Sequence, residues 1–179
     1  MIPRIETERL MLREWREGDF EPYAEFMADA EVVRYLNGSP MHRNDAWRNM
    51  AAIVGHWVLR GYGFWAVERK SDGRFVGRVG LWNPEGWPAM EVGWTLGRPF
   101  WGQGYASEAA RASLDHAFEN FPVARMISSI HPDNTPSQAV AARIGETKGE
   151  RREIVIGGAP YPVDIWEIPR ERWAARKSA

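Results

Sequence analysis

Three short β-type segments in the middle of the chain constrain its fold more strongly than any other feature. They cover residues 64–67, 74–82 and 90–96, and a turn at 71–73 and a loop at 84–88 separate them. Strands that follow one another through such short connections pair antiparallel. The sequence therefore predicts an antiparallel sheet at the centre of the protein.

Helical periodicity lies on both sides of these strands. Asp19 is a predicted N-cap for a first helix, and a second helix is predicted to be capped near Asn44 and stopped by Gly61. Further strands are predicted over 9–15, 124–131, 150–156 and 161–168, and further helices over 106–121 and 136–144. We expect one α/β domain over residues 1–179, with a mixed, mostly antiparallel sheet flanked by helices. The end of the chain, with Arg170, Arg172, Arg176 and Lys177, is predicted to be a loose solvated tail.

Composition narrows the classes of function. The formal net charge is −1 and cysteine is absent. This charge argues against nucleic acid or an anionic membrane as partner. The missing thiols exclude disulfides, thiolate metal sites and a cysteine nucleophile. The four histidines are scattered, so no metal site is predicted, and short apolar runs favour a cytoplasmic protein.

The first candidate binding motif is a glycine turn at Trp101–Ala106, between a strand and the Ala-rich helix. Gly102 and Gly104 would let the backbone approach a ligand, and the free N–H groups of the next helix favour a phosphate. A turn that simply needs positive φ is the alternative. A P-loop is excluded because Tyr105 and Ala106 stand where Lys and Ser or Thr are needed, and Ser107 excludes a dinucleotide fingerprint.

A second helix start follows the next strand, in the segment from His131 to Gly145. Asn134 and Ser137 are one turn apart and can reach a common polar group, although both residue types are also ordinary helix caps. Ligands of α/β sheets lie beyond the carboxyl ends of the strands. We therefore expect both helix starts to face one ligand.

Three motifs together resemble the GCN5-related N-acetyltransferases. They are EVGWTL at 91–96, WGQGYASEAARA at 101–112 and NTPSQAVAARIG at 134–145. The opening ETERLMLREWREGDF and the later VVRYLNGSP are similar to the branch of ribosomal-protein N-terminal acetyltransferases (RimJ/RimL-like). The resemblance covers nearly the whole chain.

The resemblance implies acetyl-coenzyme A as the acetyl donor and a sheet that is splayed where the donor binds. It places the pyrophosphate on the glycine turn, the pantetheine arm beside strand 94–96, and the thiol end near Asn134 and Ser137. The implied donor-binding residues are Trp94, Thr95, Leu96, Trp101, Gly102, Gln103, Gly104, Tyr105, Ala106, Asn134 and Ser137.

The sequence departs from the family pattern at two places. Pro99, next to Arg98, stands where a Gln or Arg is frequent, which removes one expected phosphate contact. Residues 140–142 read Val-Ala-Ala where many relatives carry a Tyr as acid for the leaving thiolate. Ser137 is the remaining polar candidate, and a hydroxyl of its kind is suited to hydrogen-bond the sulfur.

Amine acetylation needs a proton acceptor, because an alkyl amine is mostly protonated at neutral pH. Glu91, at the start of the central strand, is the first candidate, and a strand-end charge in a salt bridge is the alternative interpretation. Asp164, Glu167 and His131 are rival candidates.

The family layout implies an acceptor pocket near Asn37, Trp82, Trp87, His131 and the turn at 157–161, although each Trp is equally suited to a core. The leading hypothesis is direct acetyl transfer to a small-molecule amine or a protein N-terminus. The alternatives are a non-catalytic acyl-coenzyme A-binding module, an enzyme that uses a longer donor such as succinyl-coenzyme A, and a nucleotide phosphate binder. The oligomeric state is left open, with a homodimer as one option.

Overall fold

The computed structural model describes residues 2–36, 38–156 and 158–177. The strands are β1 (Ile5–Glu6), β2 (Leu10–Arg13), β3 (Phe64–Arg69), β4 (Phe75–Trp82), β5 (Glu91–Leu96), β6 (Arg125–Ile130), β7 (Thr147–Ile156) and β8 (Ala159–Pro169). The helices are α1 (Phe20–Ala28), α2 (Ala30–Val33), α3 (Arg43–Arg60), α4 (Tyr105–Asn120), α5 (Thr135–Ile144) and α6 (Arg170–Lys177). Within these ranges no helix has both the length and the apolar composition needed to cross a bilayer.

All eight strands form one sheet in the order β1-β2-β3-β4-β5-β6-β8-β7. Every neighbouring pair is antiparallel except β5 and β6, which are parallel. In the described chain these two strands share one register pair, Glu91 with Ile127. The predicted mixed, mostly antiparallel sheet is confirmed, and it is split between its two central parallel strands.

Helices cover both faces of the sheet. On one face, α4 packs with Leu114 and Ala117 against strand residues such as Trp65 and Val92. On the other face, α1 and α3 pack with Tyr23 and Ile53 against the strand side chains there. Because successive strand residues point to opposite faces, the two cores are separated by the sheet itself.

The prediction of a loose tail is wrong for residues 170–177. They form α6, where Trp173 is buried and donates to the Asp115 carboxylate at 3.0 Å. The Arg170 guanidinium donates to the backbone carbonyls of Phe118, Phe121 and Val123. These contacts fix the last helix against the end of α4.

The two predicted caps lie at or near the observed helix starts. Asp19 is the N-cap of α1, as predicted, but its side chain makes no hydrogen bond to that helix. Its carboxylate instead accepts the Arg16 N–H at 2.8 Å and forms a buried ion pair with Arg13 at 2.7 Å. The N-cap of α3 is His42, two residues before the predicted position near Asn44, and this helix ends at Gly61 as predicted, with φ +76°.

Candidate active site

The split between β5 and β6, which we call the seam, is the centre of the candidate site. The Met90 carbonyl accepts a hydrogen bond from the Ile127 N–H at 3.1 Å, and the strands part beyond that point. The backbone groups of alternate residues point to the same edge of a strand, so those of Val92 and Trp94 face the seam as Met90 does. The Val92 carbonyl accepts from the Ser128 hydroxyl at 2.7 Å, so an extended ligand entering the seam meets the backbone of Trp94.

A groove of about 1140 Å³ continues from the open end of the seam. It is bordered by the β1–β2 turn, α2, β5 and the starts of α4 and α5. The sequence-predicted donor-binding residues that line it are Trp94, Thr95, Leu96, Trp101, Gly102, Gly104, Tyr105, Ala106, Asn134 and Ser137. The structure thus brings three motifs that are separate in the sequence to one surface.

The glycine turn has a backbone geometry that fits both interpretations of the motif. Gly102 has φ +74° and Gly104 has φ +81°, which is the left-handed region that glycine favours. Gly104 is the N-cap of α4 and has no side chain to cap the first N–H groups. These groups and the helix dipole make the start of α4 suitable for an anion.

Gln103 is the one member of the predicted donor set that does not line the groove. Its side chain folds back and donates to the Pro99 carbonyl at 2.9 Å. Its own carbonyl accepts from Arg9 at 2.9 Å. Gln103 therefore contacts the loop and Arg9.

Arg9 and Glu108 form a brace behind the glycine turn that the sequence analysis missed. The Arg9 guanidinium donates to Glu108 at 2.7 Å and lies 4.7 Å above the centroid of the Tyr105 ring. Glu108 also accepts from the Thr7 hydroxyl at 2.6 Å. The β1–β2 turn thus holds the first turn of α4 in place, and no local pattern indicates a contact across 99 residues of chain.

The start of α5 lies opposite β5 across the groove. The Asn134 side chain caps the helix by accepting the Ser137 N–H at 3.2 Å. The Trp94 indole N–H donates to the Ser137 hydroxyl at 3.3 Å. Because that hydroxyl accepts from Trp94, its own proton is available for a ligand in the groove.

Glu91 lies at the closed end of the seam and is buried. Its Oε2 atom accepts from the Trp87 indole N–H at 2.9 Å and from the Ser129 N–H at 3.2 Å. Burial raises the Glu91 pKa to about 7, although both hydrogen bonds and the nearby charge of Arg78 act in the opposite direction. A carboxyl with this pKa exchanges its proton near neutral pH.

Two rival bases are engaged elsewhere. Asp164 is buried between Arg151 at 2.8 Å and Lys148 at 2.7 Å, and its hydrogen bond with Arg151 lowers its pKa. Glu167 is paired with Arg125 at the surface. Two cations stabilise the charged form of Asp164, which makes it a weak proton acceptor.

His131 lies at the end of β6 between two tyrosines. Its ring centroid is 5.2 Å from that of Tyr35 and 5.2 Å from that of Tyr161. Its Nδ1 atom accepts the Asp133 N–H at 3.2 Å, so the neutral ring carries its proton on Nε2. Tyr35 lines the groove, whereas His131 and Tyr161 do not.

Like His131, the predicted acceptor residues Trp82 and Trp87 do not line the groove. The Trp82 ring stacks on His56 at 4.3 Å and on Phe64 at 5.1 Å. Trp87 contacts Glu91 instead, as described above. Asn37 lies outside the described residues.

Taken together, the seam, the glycine turn and the buried carboxylate define a class of α/β protein whose groove suits an extended anionic ligand. Comparison with known proteins identifies the family within that class. Residues 9–147 match the acetyltransferase (GNAT) domain. The chain belongs to the GNAT acetyltransferases, so the predicted acyl-coenzyme A-dependent acetyltransferase is confirmed.

Relatives extend over most of the chain. An uncharacterized N-acetyltransferase, p20, of Bacillus licheniformis is 32% identical over 135 residues, which are 73% of this chain and 75% of p20. The crystal structure of an acetyltransferase from Agrobacterium tumefaciens C58 has a TM-score of 0.81 and 31% identity, with 94% of this chain and 95% of that chain covered. The ribosomal L7/L12 α-N-protein acetyltransferase RimL, in complex with coenzyme A, shares the fold at 18% identity, a TM-score of 0.77 and coverage of 95% and 99%. The expected likeness to ribosomal-protein acetyltransferases is confirmed at the level of fold.

Proposed function

We propose that this protein transfers the acetyl group of acetyl-coenzyme A directly to a primary amine, with Glu91 as the proton acceptor. One observation carries the proposal: a buried carboxyl with a pKa of about 7 closes a seam whose open end leads into the groove of the glycine turn. This arrangement provides a donor site and a base at the two ends of one path.

The groove suits the donor along its length. The start of α4 offers uncapped N–H groups for the pyrophosphate, next to Gly102 and Gly104. The seam-facing backbone groups of Trp94 can pair with the amides of the pantetheine arm in the manner of an added strand. Ser137, which accepts from Trp94, is placed to donate its hydroxyl proton toward the sulfur.

The reaction requires that the amine and the thioester are aligned and that one group accepts a proton. The amine nitrogen forms a bond to the thioester carbonyl carbon, the carbon–sulfur bond breaks, and the sulfur leaves as a thiolate. Amines have a pKa of about 8 at an N-terminus and about 10 on a lysine-like chain, so they arrive protonated. Glu91 takes the amine proton through water, since its carboxylate lies behind the groove surface.

The acceptor enters beside Tyr35, which lines the groove and stacks on His131. Aromatic faces attract an ammonium group, which favours an amine as the second substrate. Both a protein N-terminus and a small-molecule amine present this group.

Release of free thiol from acetyl-coenzyme A, measured against amino acids, polyamines and peptides with a free N-terminus, tests the proposal. We expect turnover on at least one class, with the product heavier by one acetyl group in mass spectrometry. Succinyl-coenzyme A and ATP serve as donor controls. Donor binding without turnover on any amine would overturn the proposal in favour of a non-catalytic module, and preference for succinyl-coenzyme A would overturn the acetyl assignment.

A further inference from the structure

A second buried carboxyl, that of Glu146, reaches the seam from the α5 side. Glu146 follows Gly145, the C-cap of α5, and is 3% exposed. Its Oε1 atom lies 3.0 Å from the hydroxyl oxygen of Ser128 in β6. The mechanism proposed above gives this group no role.

The number of protons in this contact fixes the protonation state of Glu146. The Ser128 hydroxyl lies 2.7 Å from the Val92 carbonyl, which can only accept. A hydroxyl has one proton, and the shorter contact with Val92 uses it. Glu146 must then be the donor to Ser128, which requires the neutral carboxylic acid.

The other oxygen of Glu146 gives independent support. Oε2 is buried and has no hydrogen-bond partner among the described residues. Burying an ionised carboxylate that has one oxygen without a hydrogen bond destabilises the folded state. The neutral acid leaves only an uncharged carbonyl oxygen at that position, which destabilises the fold less. Burial raises the Glu146 pKa well above its usual value, and the charge of Glu91 raises it further.

Glu91 and Glu146 approach the seam from opposite faces of the sheet. Val92 lies in the core under α4, so the neighbouring residue Glu91 points to the other face. Glu146 follows α5, whose Ile144 belongs to the same core as Val92. The two carboxyls thus hold backbone groups on the two sides of the seam, the Ser129 N–H and, through Ser128, the Val92 carbonyl.

Charged groups on the surrounding elements have other partners. Arg78 of β4 lowers the Glu91 pKa. Arg176 of α6 donates to the Ile144 carbonyl, and Arg111 of α4 donates to the Arg143 carbonyl. Lys148 and Arg151 of β7 pair with Asp164 of β8. None of these contacts supplies a cation to Glu146.

We propose that Glu146 is a positioning residue that stays protonated in the working enzyme and fixes the spacing of the seam by donating to Ser128, which donates to the Val92 carbonyl. The negative charge at the seam then resides on Glu91 alone. Loss of the Glu146 proton places a second charge there and releases Ser128 from its link to Val92. This inference rests on the proposed function in its effect on catalysis, but the protonated state of Glu146 is measurable without turnover.

Infrared difference spectroscopy of the full chain tests the protonation state. Because Glu91 is itself partly protonated at pH 7, the comparison is made in the E91Q background. There we expect the carbonyl stretch of a protonated carboxylic acid, and we expect it to disappear in the E91Q/E146Q double variant. Absence of this band in E91Q, or its persistence in the double variant, overturns the inference. Since the assay uses no amine and no donor, its result is separate from that of the proposed function.

The positioning role is tested by a pair of variants. In E146L, leucine fills a similar volume but has no hydrogen-bond donor. We therefore expect kcat/KM at pH 7 to fall about tenfold, with S128A giving a similar loss. E146Q keeps an N–H donor to Ser128 and should rescue most of that loss. It should also lack the alkaline decline that the wild type shows as Glu146 ionises. The exposed pair of Glu150 with Arg152 provides the control E150Q, which should match the wild type.

Equal kcat/KM for E146L and E146Q, or identical alkaline limbs for E146Q and the wild type, overturns the positioning role. Should E146L fail to fold, S128A carries the same comparison. A wild type that is inactive on all amines would overturn the proposed function. The infrared band would still decide the protonation state of Glu146.

Discussion

The carboxylate of Glu91 accepts the backbone N–H of Ser129 at 3.2 Å and takes the place of the strand partner that β6 lacks where the seam opens. Buried N–H groups need a partner, and the separation of β5 from β6 removes the ordinary one. The same separation that makes room for a ligand therefore requires an acceptor, and Glu91 supplies it. Its burial behind the groove follows from this backbone contact.

Replacement of Glu91 by Gln should lower kcat/KM by about 100-fold or more, because general base catalysis contributes on that scale. The amide oxygen of Gln can still accept from Trp87 and Ser129, so the fold should persist. Initial rates from pH 6 to 9 measure the effect. Glu85, which is fully exposed and weakly paired with Arg60 at 3.8 Å, gives the control E85Q. Rates of E91Q within threefold of the wild type across this range would exclude Glu91 as the base.

Stability should depend on pH through Glu91. Its folded-state pKa is raised from 4.5 to about 7, so the stability it contributes is fully present below pH 4.5 and is lost as pH rises through about 7. Between these limits the wild type should lose on the order of 3 kcal/mol relative to E91Q. Urea unfolding of both proteins at several pH values measures the difference. Parallel stability curves would mean that Glu91 titrates normally.

Loss of the Arg9 brace should weaken donor binding with little effect on the chemical step. Arg9→Ala removes the donors to Glu108 and to the Gln103 carbonyl, which leaves the glycine turn less ordered. We expect KM for acetyl-coenzyme A to rise roughly tenfold while kcat stays within about twofold. Arg4, which pairs with Glu14 at the surface, provides the control R4A. A fall in kcat at unchanged KM would contradict this role.

Helix α6 should contribute to the stability of the whole domain. Arg170→Ala leaves the carbonyls of Phe118, Phe121 and Val123 without their donor and should lower the free energy of unfolding by about 2 kcal/mol. Thermal unfolding measures this change, and the exposed Arg172 gives the control R172A. Equal melting temperatures for the two variants would show that the Arg170 contacts contribute nothing to the stability of the fold.

Local patterns predicted most of the elements. The Ala-rich helix was expected over 106–121 and occupies Tyr105–Asn120, and Gly61 ends α3 as its position suggested. Periodicity and glycine conformation depend on near neighbours in the chain, which the sequence shows directly. The donor-binding residues were implied by the resemblance to a known family, and ten of these eleven line one groove.

Contacts between distant segments could not be predicted in this way. The partner of Glu108 is Arg9, which precedes it by 99 residues, so no local pattern indicates their contact. The stretch 170–177 is rich in charge and resembles a solvated end, yet Trp173 and Arg170 dock it on α4. The depth of Glu91 depends on how far β5 and β6 separate, which neither strand encodes alone.

Calorimetric titration with acetyl-coenzyme A tests the central claim, that the glycine turn and the seam bind the donor. Gly104→Val places a β-branched side chain at φ +81°, which forces the turn away from its anion-binding shape at a cost of about 1–2 kcal/mol. Gly73, at φ +69° in the β3–β4 turn, gives the matched control G73V. We predict that the wild type and G73V bind alike and that G104V binds at least about tenfold more weakly. Equal affinity of G104V and the wild type, or no binding by the wild type, would contradict the account.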